Sequence, residues 1–338
     1  MKRSLLYIGN KLSKKGSTVT SIETLGNFLK DEGFSVKTAS SQKSKVLRLL
    51  DMLWAVIRFP KKNTVVLIDT YSTQNFFYAV AVAKTCRLFS LPYIPILRGG
   101  NLPVRLDRSP KLSEQLFNNA EVSVAPSHYL MEAFTARGYT NLVYIPNTIQ
   151  IDKYVFIQRK KVEAKLLWVR SFSNIYNPLL ALEILRQLNA KGVSASLTMV
   201  GPQKDESYMR CKAEAERDQL KVEFTGKLSK EAWIARAAKH DIFINTTNFD
   251  NTPVSVMEAM ALGMPVISTN VGGLPFLITH DEDGILVPPE QAEPFVAAIL
   301  DLMKNPDKVE RITTNARQKV ARFDWSLVKA QWISLLSE

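Results

Sequence analysis

Residues 241–275 read DIFINTTNFDNTPVSVMEAMALGMPVISTNVGGLP, and their reading decides the fold. The apolar opening, Asp241 to Asn245, has the length and composition of a buried strand. After a polar turn, Thr252 supplies an N-cap and Pro253 suits the first helical position. Val254 to Leu262 is a short apolar helix, and Gly263 stands where a helix ends in the left-handed conformation. Pro265 to Thr269 is a second strand, and Gly272-Gly273 makes a loop whose backbone can approach a ligand closely. Strand, loop, helix, strand and loop in this order belong to a parallel sheet, where ligands bind at the loops leaving the strand ends.

Glu258 breaks the burial pattern, because Val256, Met257, Ala259, Met260 and Ala261 surround it. An ionised carboxylate there needs hydrogen-bond donors, since burying it unpaired costs several kcal/mol. Asp250 lies in the loop before the same helix. Between the two acids stand the free N–H groups of the helix start, an anion site. Two acceptors for hydroxyls flanking an anion site suit a sugar nucleotide. The spacing alone equally allows a packed helix with Glu258 paired to an internal Arg.

The segment resembles the nucleotide-sugar motif of the family 4 (group 1) glycosyltransferases. It has Asp250, seven residues, Glu258-Ala259-Met260-Ala261, Gly263, Pro265-Val266-Ile267 and Gly272-Gly273. The first acid is Asp where the family usually has Glu, one methylene shorter, in the position that meets the donor sugar. The resemblance implies an α/β chain of the GT-B fold: two Rossmann-like β/α/β domains facing a cleft, with a C-terminal helix returning to the N-terminal domain. It also implies sugar transfer from a nucleotide-diphosphate donor, commonly a UDP-sugar, with retention of configuration. No prosthetic group or metal is implied.

Composition agrees with a soluble globular protein, and 338 residues suffice for two domains. The expected division is 1–160 for an acceptor-binding domain, 164–320 for a nucleotide-sugar domain and 321–338 for the returning helix. No signal peptide is read at the start, because Gly9 to Lys15 turn polar at once. No apolar run reaches a membrane span. Cys86 and Cys211 form no disulfide framework, which points to a reduced cytoplasm. His128, His240 and His280 have no metal-ligand spacing, and no metal site is expected.

Charge is uneven. Residues 1–163 carry 24 Lys/Arg against 11 Asp/Glu, net +13, and residues 164–338 carry 20 against 21, net −1. An anionic membrane surface, an anionic acceptor or a solvated basic face each fits this excess. No nucleic-acid motif accompanies it. Lys45 to Phe59 is an amphipathic helix with a wide apolar face, suited to its own core or to a membrane surface at the inner face of the membrane.

Along the chain, Ser4–Ile8, a helix from Val19 and Phe34–Ala39 make a Rossmann-like opening. In its loop, Gly16-Ser17-Thr18 resembles the family's glycine-rich phosphate loop and is equally readable as a turn. Strand Pro92–Leu97 runs into Arg98, Gly99, Gly100 and Asn101, where many family members place a His. Arg98 there could bind an acceptor's carboxylate or phosphate, or be a surface charge. Val143–Asn147 resembles the family's domain-closing strand end, and Lys153 to Lys165 reads as an interdomain linker. Strand Leu166–Val169 ends at Arg170, which matches the family's diphosphate-binding Arg. Tyr176 stands near the place of the family's Lys and supplies a phenol without charge. The loop Lys227-Leu228 is where the family's backbone meets the base.

The resemblance therefore implies Glu258 on the ribose hydroxyls and Asp250 on a donor-sugar hydroxyl. Arg170 and the backbone of Asn251, Thr252, Pro253, Val254 and Ser255 would meet the departing diphosphate. The expected acceptor is a glycan or lipid-linked saccharide in cell-surface polysaccharide synthesis. Two rivals stand beside this reading: a nucleotide-sugar epimerase on the same fold, and a non-catalytic nucleotide-binding scaffold.

Overall fold

The computed structural model describes residues 2–12, 20–60 and 62–337. Gly16 and its loop lie outside the described residues. The chain divides into two compact units, Met1–Asn147 with Trp325–Glu338, and Thr148–Asp324.

The first unit carries a parallel sheet of β1 (Ser4–Ile8), β2 (Val36–Ala39), β3 (Thr64–Thr70), β4 (Tyr93–Leu97), β5 (Ser123–Ala125) and β6 (Leu142–Tyr144). Their order is β2-β1-β3-β4-β5-β6. The chain turns from one side of β1 to the other after β2, so the topological switch point lies between β1 and β3. Alternation along the strands builds two cores. Leu6, Ile8, Val66 and Ile68 face the helices Lys45–Arg58 and Asn75–Leu88. Leu5, Tyr7, Val65 and Leu67 face the helices Ser21–Asp31 and Trp325–Ser337.

The C-terminal helix belongs to this unit. It buries Trp325, Val328, Trp332 and Leu336, one stripe at helical spacing. Trp325 stacks on Phe28 with ring centroids 4.8 Å apart. Its indole N–H donates to Glu32 Oε1 at 3.2 Å, and Lys329 pairs with the same carboxylate.

The second unit repeats the plan with β7 (Lys165–Val169), β8 (Ser196–Val200), β9 (Val222–Gly226), β10 (Ile242–Asn245), β11 (Val266–Thr269) and β12 (Ile285–Val287). The order is β12-β11-β10-β7-β8-β9, all parallel. Its switch point lies between β7 and β10. Leu166 and Trp168 pack on the side of helices Pro178–Ala190 and Ala292–Lys304, and Leu167 packs on the side of helix Val254–Ala261.

The segment expected to be a linker is a strap on this second unit. Arg159 is buried and donates to the carbonyls of Ala237, His240, Leu262 and Gly263. Two of these helices, Lys230–Ala237 and Val254–Ala261, end where the guanidinium sits, so one cation answers two negative dipole ends. A charged run without periodicity looks solvated in sequence, yet here one of its cations, Arg159, is buried and satisfied by main-chain oxygens.

Candidate active site

The site is assembled from loops that leave β7 and β10 on either side of the switch point. Arg170 follows β7 directly. The loop after β10 is drawn against the turn after β7: the Thr246 hydroxyl donates to the Tyr176 and Asn177 carbonyls at 2.9 Å, and the Asn248 N–H donates to the Ile175 carbonyl at 2.8 Å. These bonds bring Asp250 to Arg170, and the two side chains form an ion pair. Tyr176 stands near the place of the family's Lys, beside Arg170. Its ring lies under the guanidinium, with the Arg170 carbon 4.7 Å from the ring centroid. A cation over the face of a ring in this way is attracted to it. Burial pulls the Arg170 pKa down, against the opposing effect of Tyr176.

The helix Val254–Ala261 starts at the residue the sequence indicated, with a different cap. Pro253 is the N-cap in extended conformation, in place of Thr252. Asn251 is buried, and its N–H donates to Asp250 Oδ1 at 2.8 Å. Val254 and Ser255 open the helix, before its first N–H groups find main-chain partners. Arg170 Nε and Ser255 Oγ are both buried without a hydrogen-bond partner in the protein. Unmatched buried polar atoms are costly, so their gathering at a strand end and a helix start marks a place for a polar ligand.

Glycines shape this loop in a way the motif did not reveal. A Cβ on Gly272 would stand 2.1 Å from the Asp250 carbonyl oxygen, and one on Gly273 would stand 2.0 Å from that of Asn251. The Gly-Gly turn therefore supports the Asp250–Asn251 backbone from behind, where a ligand-facing loop was expected. Gly201, at the exit of β8, likewise faces the Arg170 carbonyl, 1.7 Å from where its Cβ would be.

Glu258 is 4 % exposed. Among the described residues, no Arg meets it. The Tyr154 hydroxyl donates to its Oε1 at 2.7 Å, and the Lys230 ammonium pairs with the same oxygen. Burial and this carboxylate together raise the Tyr154 pKa well above the ordinary phenol value. Sequence reasoning missed both partners. Tyr154 lies in the supposed linker, and Lys230 opens the helix Lys230–Ala237, which Ser229 caps through the Ala232 N–H at 3.1 Å. The only local signal for Lys230 was its nearness to Lys227 and Leu228. Leu228 packs half-buried against the cluster that holds Val256 and Met257, which leaves the loop main chain as its part in any site.

In the first unit, Arg98 is not a free anion ligand. Its Nε donates to Asp69 Oδ1 at 3.0 Å, its Nη1 to Asn147 Oδ1 at 2.9 Å and its Nη2 to the Tyr7 hydroxyl at 3.2 Å. Burial raises the Asp69 pKa, and Arg98 opposes the rise. The guanidinium thus fixes the ends of β1, β3 and β4 from inside. Gly99 then passes within 2.6 Å of the Ser72 nitrogen, measured from its would-be Cβ, and Gly100 leads to Asn101, which opens the helix Leu102–Arg108.

Among the described residues, no group of three or more His, Cys, Asp or Glu is placed to hold a metal ion, and no helix is long and apolar enough to cross a membrane. Cys86 and Cys211 are free and buried, and burial pushes both thiols up to about 12.

Two doubly wound parallel sheets, one with an Arg, an acid and a helix start gathered at its switch point, define the class of this molecule. The chain belongs to the glycosyl transferases of group 1, whose pattern it matches over residues 150–319, half its length. It is 31% identical over 164 residues to WcaL of Salmonella typhimurium, a glycosyltransferase assigned to colanic acid biosynthesis, covering 46% of this chain and 40% of that protein. It is 23% identical over 197 residues to glycogen synthase of Mycobacterium tuberculosis, covering 56% of this chain and 47% of the relative. The matches thus span less than half the length of these relatives. Among solved structures, sucrose-phosphate synthase of Thermosynechococcus elongatus superposes with a TM-score of 0.82 at 15% identity, over 99% of this chain and 98% of that one. HepE of Anabaena, solved with UDP and glucose, gives 0.77 at 17% identity over 99% of both chains. At such identities the likeness is one of fold.

Proposed function

We propose that this protein is a retaining glycosyltransferase that moves a sugar from a UDP-sugar to a hydroxyl of a glycan or lipid-linked acceptor in cell-surface polysaccharide synthesis. The observation that carries this reading is the pair of buried, unpartnered polar atoms, Arg170 Nε and Ser255 Oγ, beside the start of helix Val254–Ala261. A diphosphate supplies acceptors to both, and the helix start adds N–H groups and a positive dipole end. The UDP and glucose bound to HepE and the polysaccharide role of WcaL support the same choice.

In this mechanism the second unit holds the donor and the first the acceptor. The bond between the anomeric carbon and the diphosphate oxygen breaks with its electron pair going to the diphosphate. Arg170 and the amides of Val254 and Ser255 receive that charge. The acceptor oxygen bonds to the same face of the anomeric carbon, and its proton passes to the departing diphosphate. Asp250 turns from Arg170 to a sugar hydroxyl, and Glu258 accepts from the ribose while keeping Tyr154. Arg98 positions the loop Gly99–Asn101 on the acceptor side. The charge on the leaving group is met without a metal. The basic first half fits work at the cytoplasmic face of a membrane.

Thermal shifts with UDP, GDP, ADP and their sugars test the donor assignment. UDP at about a hundred times its Kd should stabilise the protein by about 2.7 kcal/mol, and Glu258→Ala should remove most of that gain. No shift with any nucleotide refutes the reading.

A further inference from the structure

The helix Lys45–Arg58 has two apolar faces, and only one belongs to the core. Met52 and Val56 are buried with Arg48 on the inward side. Arg48 spends its charge inside, on the carbonyls of Gln42 and Lys43 and on Asn10 Oδ1. On the opposite side Val46, Leu47, Leu50, Trp54 and Ile57 form a second stripe, each 42–69% exposed. Positions 46, 50, 54 and 57 follow helical spacing, so these side chains share one surface strip. Large apolar side chains gathered like this on a surface mark an interaction site.

The charges around the strip identify the occupant. Lys43, Lys45 and Arg58 are exposed at its ends, and Arg58 lies over the Trp54 ring, 4.3 Å from its centroid. The helix's one acid, Asp51, is turned aside onto the Ser40 hydroxyl. The half of the chain that carries the helix holds the whole positive excess. An apolar strip with an indole, bordered by cations and lacking an outward acid, complements an anionic lipid surface.

We infer that the outer face of helix Lys45–Arg58 seats the first unit on an anionic membrane surface, with Leu47, Leu50, Trp54 and Ile57 entering the headgroup boundary. The inference rests on the acceptor reading above insofar as it makes the acceptor lipid-linked. Its test is independent of catalysis.

The full chain is sedimented with vesicles of phosphatidylcholine alone and of phosphatidylcholine with roughly one third phosphatidylglycerol. The wild type should pellet with the anionic vesicles, and Leu50→Glu/Trp54→Glu should bind at least about tenfold more weakly. Met209→Ser, an exposed apolar residue of the second unit, should bind as the wild type does. Stabilisation by UDP, measured on each variant, reports folding and the donor site separately. Loss of vesicle binding with the UDP shift intact supports the docking face. Vesicle binding without any UDP shift keeps the docking face and removes the donor reading. Absence of wild-type binding to either vesicle overturns the inference, as does equal binding by Leu50→Glu/Trp54→Glu. A wild-type dimer in analytical ultracentrifugation that this variant dissolves also overturns it, by giving the strip to a second copy.

Discussion

At the scale of residues, the site is a set of charges already paired within the protein. Arg170 is held by Asp250 on one side and carried by the Tyr176 ring on the other. If the ring steers the cation, Tyr176→Phe should keep kcat/KM near wild type while Tyr176→Leu lowers it about tenfold, in line with a cation–π contact of 1–2 kcal/mol. Arg170→Ala should lower it about 10²- to 10³-fold, the scale for losing one donor to a developing anion. Steady-state kinetics with the donor identified by thermal shift check both, and equal losses in the two Tyr176 variants would assign the hydroxyl a direct contact instead.

His240 gives a pH dependence away from the site. Its ring nitrogens lie 2.9 Å from the Arg236 carbonyl and 2.8 Å from the Thr198 hydroxyl. Burial lowers its pKa from 6.5, against the opposing pull of the Arg236 carbonyl. A base depressed in the fold contributes stability that is whole above its unfolded value and is lost as pH falls below it. Melting temperature should therefore drop as pH falls below about 6.5, and His240→Gln should flatten that part of the profile. An unchanged slope in the variant would assign the loss to other groups.

At the scale of elements, the decisive feature is how closely main-chain segments approach. Gly273 has φ −85°, which any residue adopts, so the effect of a methyl there is steric. With the Asn251 carbonyl 2.0 Å from that methyl, Gly273→Ala must push the Asp250–Asn251 loop away from Arg170. The expected cost is about 1–3 kcal/mol of stability, together with loss of most nucleotide stabilisation. Denaturant melts with and without UDP measure both, and a full UDP shift in the variant would show that the loop does not bear on the site.

At the scale of the whole molecule, each of the two units carries a sheet with a core on either face. Trp332 is buried in the first unit although it lies near the end of the chain. Trp332→Ala should cost about 3–5 kcal/mol. Calorimetry should show one transition moving down while UDP still raises the other, because the donor residues lie in the second unit. A single transition shifting as a whole would mean that the units unfold together.

Much of this was legible in neighbouring residues. Alternating apolar strands, helical stripes and the spacing of Asp250, Glu258 and Gly263 follow from periods of two and 3.6, which any short window of sequence carries. Those periods gave the individual strands and helices and the place of Arg170 at a strand end, while the arrangement into two doubly wound sheets was what the family resemblance implied. They could not determine partners. Glu258 meets Tyr154 across 104 residues, and Arg98 meets Tyr7 across 91. A charge finds its counterpart only after the strands have been ordered, and no local period encodes that order. The same limit held for helix Lys45–Arg58: both its faces are apolar, so hydrophobicity could not choose between them. Tertiary structure chose, because Arg48 could satisfy its donors on inward main-chain oxygens, and this left the stripe of Leu50 and Trp54 facing outward.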